Sequence, residues 1–216
     1  MLSTEPFGIN KISMKHIVIL DGASMAGHII SDYFSSLNYK VTPVDINNIF
    51  NKDYTPNGNS FKEDADYVIN CVRCLVEESE LNKTKALFLN SIYPIMLEKF
   101  YSNKKTKLVH LSTDCVFSGE RGDYNEQSQS DGISVYSKTK SLGELINNKD
   151  ITIRTSYIGP NINDKSEELF DWFLLQKQDA RGYTKAFWNG VTTLELAKNI
   201  KKLIEIDFSG VYHMIG

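Results

Sequence analysis

The stretch HIVILDGASMAG, residues His16 to Gly27, decides how this 216-residue chain is read. Its first half, His16-Ile-Val-Ile-Leu20, is a continuous apolar run, the mark of a strand buried on both faces of a parallel sheet. Its second half is a loop of small residues. From Gly27 to Leu37, the residues Ile29, Ile30, Tyr33, Phe34 and Leu37 then recur at helical spacing, and Asn38 ends the pattern.

Working outward, Val41 to Ile46, Tyr67 to Cys71, Lys107 to Ser112, Ile151 to Arg154 and Gly210 to His213 read as further strands. Leu87 to Tyr101, with Asn90 inside it, Tyr136 to Ile146, Ser166 to Gln176 and Thr193 to Ile206 read as helices. Asp53 to Lys62 and Gly119 to Ile133 are polar loops. Strands alternating with helices predict an α/β fold, a Rossmann-type doubly wound and mostly parallel sheet. Ligands of such sheets bind at the carboxyl ends of the strands. Residues 1–14 read as a tail, 15–160 as a dinucleotide-binding domain and 161–216 as a smaller lobe.

Composition narrows the function classes. A hydrophobic content of 41% is enough to bury a core, and a net charge of -3 with both signs interspersed gives no reason to expect a nucleic-acid groove or an anionic membrane surface as partner. No apolar run approaches the ~20 residues that span a bilayer. Glu5 and Pro6 break any leader-like apolar stretch at the start, so the expected location is cytoplasmic. The three cysteines are too few for a disulfide framework. Cys71 and Cys74 form a C-x-x-C, but they close an apolar strand instead of opening a helix, and no second Cys or His pair stands at ligand spacing. No metal site is expected.

Chemistry enters with tyrosine and lysine four residues apart, which a helix places on one face. Tyr101/Lys105 and Tyr136/Lys140 both satisfy the spacing. Tyr136 follows Thr113, which lies just past a strand, so a strand-end hydroxyl can meet a helix-borne phenol. Tyr101/Lys105 precedes that strand and reads as a solvated helix end.

Around Tyr136 the motifs become specific. Ser112-Thr-Asp-Cys-Val-Phe-Ser-Gly119, Tyr124-Asn-Glu126 and Val135-Tyr-Ser-Lys-Thr-Lys-Ser-Leu-Gly-Glu144 resemble the STDxVFxG, YxE and VYGxxKLxGE pattern of the extended short-chain dehydrogenases, in particular the dTDP-4-dehydrorhamnose reductase family. Arg154-Thr-Ser-Tyr157 is similar to that family's RTSW segment, and the resemblance runs from about Lys15 to His213. It implies a reductase that uses NADH or NADPH on a 4-keto-6-deoxyhexose carried by a nucleotide diphosphate. Thr113, Tyr136 and Lys140 are then the catalytic set. A phenol near its own pKa of ~10 gives protons poorly at neutral pH, and a neighbouring ammonium, here Lys140, lowers that value. By resemblance Lys140 also bonds the nicotinamide ribose, and Thr113 helps hold the substrate carbonyl.

The resemblance also implies a cofactor path over Gly22, Ser24, Met25, Ala26 and Gly27, past Asp45 and Ile46, along Asn70, Cys71 and Val72, to Ser112, Tyr136 and Lys140. Asp45 ends a strand about 20 residues after the loop, where a carboxylate bonds an adenosine ribose and repels a 2′-phosphate; this leans toward NADH, although a strand-end Asp is also an ordinary turn residue. Arg73 is unusual for the family and meets either a phosphate or a surface carboxylate. The implied substrate contacts are Thr113, Asp114, Cys115, Tyr136, Tyr157 and Trp188. Tyr183, Phe187 and Trp188 either stack on a base or sugar or pack a small lobe. Related dehydratases carry an Asp-Glu pair after the threonine, and Cys115 takes the place of that Glu, which favours reduction.

Two departures from the family pattern raise alternatives. Its G-x-x-G-x-x-G falls on Asp21, Ser24 and Gly27, so one glycine is in register, unless Gly22 serves as the first and the loop is one residue shorter. Ser24 adds a hydroxyl that either blocks or bonds a phosphate. The family continues past the strand at Gly210 to His213, so a truncated substrate lobe is expected, with a homodimer or a partner subunit completing the site. The alternatives are a non-catalytic NAD(P)-binding regulatory subunit and a nucleotide-sugar epimerase.

Overall fold

The computed structural model describes residues 14–51, 55–62, 64–162 and 168–216. The expected tail at 1–14 thus lies almost wholly outside the described residues, as do part of the 53–62 loop and the start of the 166–176 helix. The elements run β1 (His16–Leu20), α1 (Met25–Ser35), β2 (Lys40–Val44), β3 (Tyr67–Asn70), α2 (Val76–Leu81), α3 (Lys83–Leu87), α4 (Tyr93–Tyr101), β4 (Lys107–Leu111), α5 (Val135–Leu142), β5 (Ile151–Arg154), β6 (Tyr157–Ile158), α6 (Leu169–Leu174), β7 (Val191–Thr192), α7 (Thr193–Glu205) and β8 (Gly210–His213). A π turn, Phe88–Ile92, joins α3 to α4.

Six strands form one parallel sheet in the order β2-β1-β3-β4-β5-β8, and β6 pairs with β7 in a separate small sheet. This is the doubly wound architecture expected from the alternating pattern. The strand order reverses between β1 and β3, and the crevice beyond their carboxyl ends is where such folds hold ligands.

The apolar runs are explained by two buried layers. Ile17, Ile19, Ile69, Val109 and Ile153 face α1 and α7 through Ala26, Ile30, Phe34, Leu196 and Ile200. The alternate residues Val18, Leu20, Val68 and Leu108 face the opposite layer of Ala86, Leu89, Tyr93, Leu97 and Tyr101. The central strands β1, β3, β4 and β5 are buried along their whole length, unlike the edge strands β2 and β8, so no regular polar alternation is visible in them.

Several boundaries differ from the sequence reading for local reasons. Helix α1 begins before Gly27, because the Ser24 side chain caps it by accepting from the Gly27 amide at 3.1 Å. Helix α5 stops at Leu142, with Gly143 as its C-cap, so the expected extension to Ile146 does not form. Helix α2 carries no strong apolar period and was invisible to it. Tyr101 corrects the expectation of a solvated helix end: its ring is fully buried and its hydroxyl bonds the Lys62 backbone at 2.8 and 2.9 Å, while Lys105 is exposed.

Gly27 sits where no side chain fits. An added Cβ would lie 2.2 Å from the Asp21 carbonyl oxygen and 2.9 Å from the Gly22 Cα, both backbone atoms. Gly27→Ala is expected to lower unfolding stability by about 1–3 kcal/mol, read by urea denaturation, because either the loop or α1 must shift. A wild-type midpoint in that variant would show that the loop yields freely.

Candidate functional site

The carboxyl ends of β3, β4 and β5, with the first turn of α1, border two cavities. The smaller, about 220 Å³, is lined by Met25, Cys71, Arg73, Thr113, Tyr136, Lys140, Tyr157, Glu168 and Trp188 among others. The larger, about 890 Å³, is lined by Asp114, Cys115, Phe117, Tyr124, Glu126, Arg154, Trp188 and His213 among others. Cys115, Thr155, Ser156 and Trp188 border both, so the two spaces adjoin at the end of β4.

Thr113, Tyr136 and Lys140 stand together in the smaller cavity. Helix α5 presents Tyr136 and Lys140 on its inner face, and Ser134 caps it by accepting from the Ser137 amide at 3.0 Å. The π turn holds this helix in place: Ser91 donates to the Thr139 carbonyl at 2.6 Å, and Asn90 donates to the Thr139 hydroxyl at 3.1 Å. Asn90 also accepts from the Cys74 amide at 2.8 Å, tying α5 to the turn that follows β3. One extra residue in that turn aims both side chains at α5, a common use of π turns beside functional sites.

The charges differ from the sequence expectation. Lys140 donates to the Leu111 carbonyl at 2.6 Å, and burial, helped by the Arg73 charge, brings its ammonium down to about 7. Burial pushes the Tyr136 phenol up, and the charge that opposes this most is the Arg73 guanidinium, with the Thr113 hydroxyl acting the same way. The lysine expected to tune the phenol thus shares that space with a permanent cation, Arg73. Its guanidinium lies 5.1 Å from the Tyr157 ring centroid and pairs with Glu168, with only 16% and 17% of the two side chains exposed. Of the two readings of Arg73, the carboxylate partner is the one seen, but it lies in the cleft instead of on the surface.

Asp21 settles the register of the loop. It adopts φ of 60°, whereas Gly22 takes no left-handed conformation, so Asp21 occupies the first-glycine position. Burial lifts its carboxyl to about 6, Arg73 opposing and Asp45 reinforcing. Ser24 neither blocks the loop nor points a free hydroxyl outward: it donates to the Asp21 carbonyl at 2.7 Å while capping α1. Gly22 donates to the Val44 carbonyl at 3.0 Å, and Met25 and Ala26 form the buried first turn of α1.

The other expected positions are placed as follows. Asp45 accepts from the Asn47 amide at 2.7 Å, capping a short turn that starts at Ile46; this is the ordinary turn role allowed for it. Asn70 accepts from the Val72 amide at 3.1 Å and faces His110, so its side chain belongs to the sheet end. Cys71 is buried beside them, and burial pushes both its thiol and that of Cys74 up, the reverse of a redox pair. Ser112 donates to Glu144 at 2.7 Å, and Asp114 accepts from Ser156 at 2.6 Å. Tyr157 lies in the smaller cavity under Arg73, not in the larger one. Tyr183 and Phe187 are 91% and 97% exposed, so they do not pack a lobe, and Trp188 is half-exposed between the cavities.

Four residues escaped the sequence reading. Glu144 and Arg154 form a buried two-pronged pair, at 2.8 and 2.7 Å, that links the end of α5 to the end of β5. Both were quoted within motifs without a role. Their signal was an arginine closing an apolar strand, which needs a buried anion. Glu168 gave no local signal, and Asn90 showed only as a polar residue inside an apolar helical period. Among the described residues no group of three or more His, Cys, Asp or Glu could hold a metal, and no helix is long and apolar enough to cross a membrane.

A family model described as the RmlD substrate binding domain matches residues 14–216. The chain belongs to this family. A dTDP-4-keto-6-deoxy-D-glucose reductase from Streptomyces niveus is 29% identical over 158 residues, covering 68% of this chain and 53% of that protein. A dTDP-4-dehydrorhamnose reductase from Mycolicibacterium smegmatis is 26% identical, covering 62% and 41%. The RmlD-family chain thus spans about half the length of the curated relatives it matches. Among solved structures, a dTDP-4-dehydrorhamnose reductase from Clostridium acetobutylicum superposes with a TM-score of 0.77 at 25% identity, over 93% of this chain and 74% of that one. A Bacillus anthracis dTDP-4-dehydrorhamnose reductase in complex with NADP gives 0.77 at 21% identity, over 94% and 75%, a likeness of fold.

Proposed function

We propose that this RmlD-family chain reduces a 4-keto-6-deoxyhexose linked to a nucleoside diphosphate, using a nicotinamide dinucleotide. The observation that carries this reading is the convergence of Thr113, Tyr136 and Lys140 in one cavity that adjoins a second one large enough for a sugar nucleotide. Relatives named as reductases of dTDP-linked keto sugars support it.

The residues fit a dinucleotide in most respects. Helix α1 opens on the crevice with Met25, and the pocket beyond holds a buried lysine at hydrogen-bond reach of a backbone carbonyl. When bound, the nicotinamide supplies a hydride to the keto carbon. Thr113 and Tyr136 hold the carbonyl oxygen, and the Tyr136 hydroxyl gives its proton to the developing alkoxide. Lys140 would hold the nicotinamide ribose, and Ser112 keeps the end of β4 in register through Glu144. Cys115 stands where a dehydration would need a second acid, and a thiol, which holds its proton at neutral pH, supplies no carboxylate there. Asp45 favours NADH over NADPH by repelling a 2′-phosphate.

The deciding experiment follows NADH and NADPH absorbance with dTDP-4-keto-6-deoxyglucose and its 4-keto epimers. Turnover with at least one is expected, faster with NADH. Cofactor binding without turnover on any of them would favour the regulatory-subunit alternative.

Asp21 makes this binding pH-dependent. Its folded pKa, about 6, lies above the ordinary 3.8, so the neutral acid is the form the fold prefers. The associated stability is full below pH ~4 and is lost as pH rises through about 6. The carboxylate that then forms repels a pyrophosphate. NADH affinity is therefore expected to fall on the order of tenfold between pH 5 and 7, and Asp21→Asn or Asp21→Gly to remove that slope and bind tighter at pH 7. Titrations with parallel slopes in wild type and Asp21→Asn would rule this out.

A further inference from the structure

We propose that Arg73 is a ligand of the cofactor's pyrophosphate, supplying by charge what the two missing loop glycines supply in relatives by close backbone approach. This rests on the reading that the smaller cavity holds a nicotinamide dinucleotide.

Position is the first argument. β3 runs beside β1 with Asn70 opposite Leu20, and the Cys71 amide donates to the Leu20 carbonyl at 3.1 Å. The chain after β3 therefore passes next to the loop after β1, and Arg73 lies at the point where the strand order reverses. It lines the smaller cavity together with Met25 from the first turn of α1 and with Tyr136 and Lys140 from α5. A dinucleotide held between Asp45 and Tyr136 would meet Arg73 on its way.

Charge is the second. A pyrophosphate diester brings two negative charges to a loop whose first-glycine position is Asp21. Arg73 is near enough to Asp21 to act on its carboxyl, and two phosphate charges beside that acid require a cation at this point of the crevice. Lys140 bonds the Leu111 carbonyl and is the group proposed for the nicotinamide ribose, so it is not the cation for the diphosphate. Arg73, in contrast, is held by a carboxylate, Glu168, and stacked on Tyr157. The guanidinium fork that grips one planar anion also matches phosphate oxygens, so a pyrophosphate can replace Glu168 without moving the ring that supports Arg73.

The diphosphate of a sugar nucleotide offers the same chemistry. The cavity boundaries favour the cofactor: Arg73 borders the space that reaches α1 and is absent from the larger cavity.

The test titrates wild type, Arg73→Ala, Arg73→Lys and Glu168→Gln with NADH, ADP-ribose and dTDP by fluorescence quenching or calorimetry. Arg73→Ala is expected to weaken NADH and ADP-ribose by the same factor, on the order of 10- to 100-fold, and to leave dTDP unchanged. Arg73→Lys should fall between, since a point charge loses the fork. Glu168→Gln should tighten ADP-ribose, because the guanidinium no longer has to leave a charged partner; this arm needs no folded Arg73→Ala protein. Unchanged NADH affinity in Arg73→Ala, a loss confined to NADH, or a loss confined to dTDP would each overturn the assignment. Wild type that binds dTDP but neither NADH nor ADP-ribose would overturn the cofactor reading together with it.

Discussion

Tyr136→Phe is expected to reduce turnover of a 4-keto-6-deoxy sugar nucleotide by about 10²- to 10⁴-fold while NADH binds within a factor of about three of wild type. The substitution removes one hydroxyl and keeps a ring that is only 8% exposed, so packing between α5 and the end of β4 survives. On the proposed function, what is lost is the proton for the alkoxide, while the cofactor contacts proposed for Lys140 and the first turn of α1 remain. The phenol's environment makes it a donor: burial raises its pKa and Arg73 restrains the rise, so it carries its proton at neutral pH. Single-turnover absorbance loss with saturating NADH separates the two effects. If Tyr136→Phe turns over at the wild-type rate, the proton comes from elsewhere and the catalytic assignment fails.

Arg154→Met should be the most destabilising single change at the site, costing about 3–5 kcal/mol and lowering the midpoint of thermal unfolding by roughly 6–20 °C. Arg154 and Glu144 are 5% and 2% exposed and share two hydrogen bonds, and Ser112 donates to the same carboxylate. Removing the guanidinium leaves a charged carboxylate among buried groups, which is far worse than removing both partners. Arg154→Met with Glu144→Leu should therefore recover a large part of the loss. Calorimetry of the single and double variants decides it: a double variant no more stable than the single one would mean that Arg154 acts mainly through its stacking on Phe117, 5.1 Å away, or its bond to Glu126.

The architecture was legible because its signal is local and repeated. Strands buried on two faces must be apolar at successive positions, and HIVIL, YVIN and KLVHL announce themselves without any neighbour. The set of Thr113, Tyr136 and Lys140 was legible for a related reason. Two of its members ride one helix face and the third ends a strand, so spacing along the chain stands in for distance. Boundaries were less legible where a side chain decides them: Ser24 and Gly143, not the apolar period, set where α1 starts and α5 stops.

The altered loop shows the division most clearly. From residues alone, the first glycine position fell on Asp21 with Gly22 as an alternative in a shortened loop, and the backbone, with Asp21 at φ 60°, chose between them. Asp45 and Ser24 looked available to a ligand, yet each accepts from an amide nearby: Ser24 is taken up by the helix cap, and Asp45 keeps only the charge on which the proposed NADH preference rests.

Chain order, then, was enough to specify a doubly wound sheet and a tyrosine–lysine helix, because both depend on periodicities of a few residues. It could not specify which charges meet. Arg73 and Glu168 are far apart in the chain, as Asp21 is from Arg73, and they come together only because parallel strands return every loop to the same end of the sheet. Electrostatics depends on distance and burial, and neither is a property of a residue until the chain has folded around it.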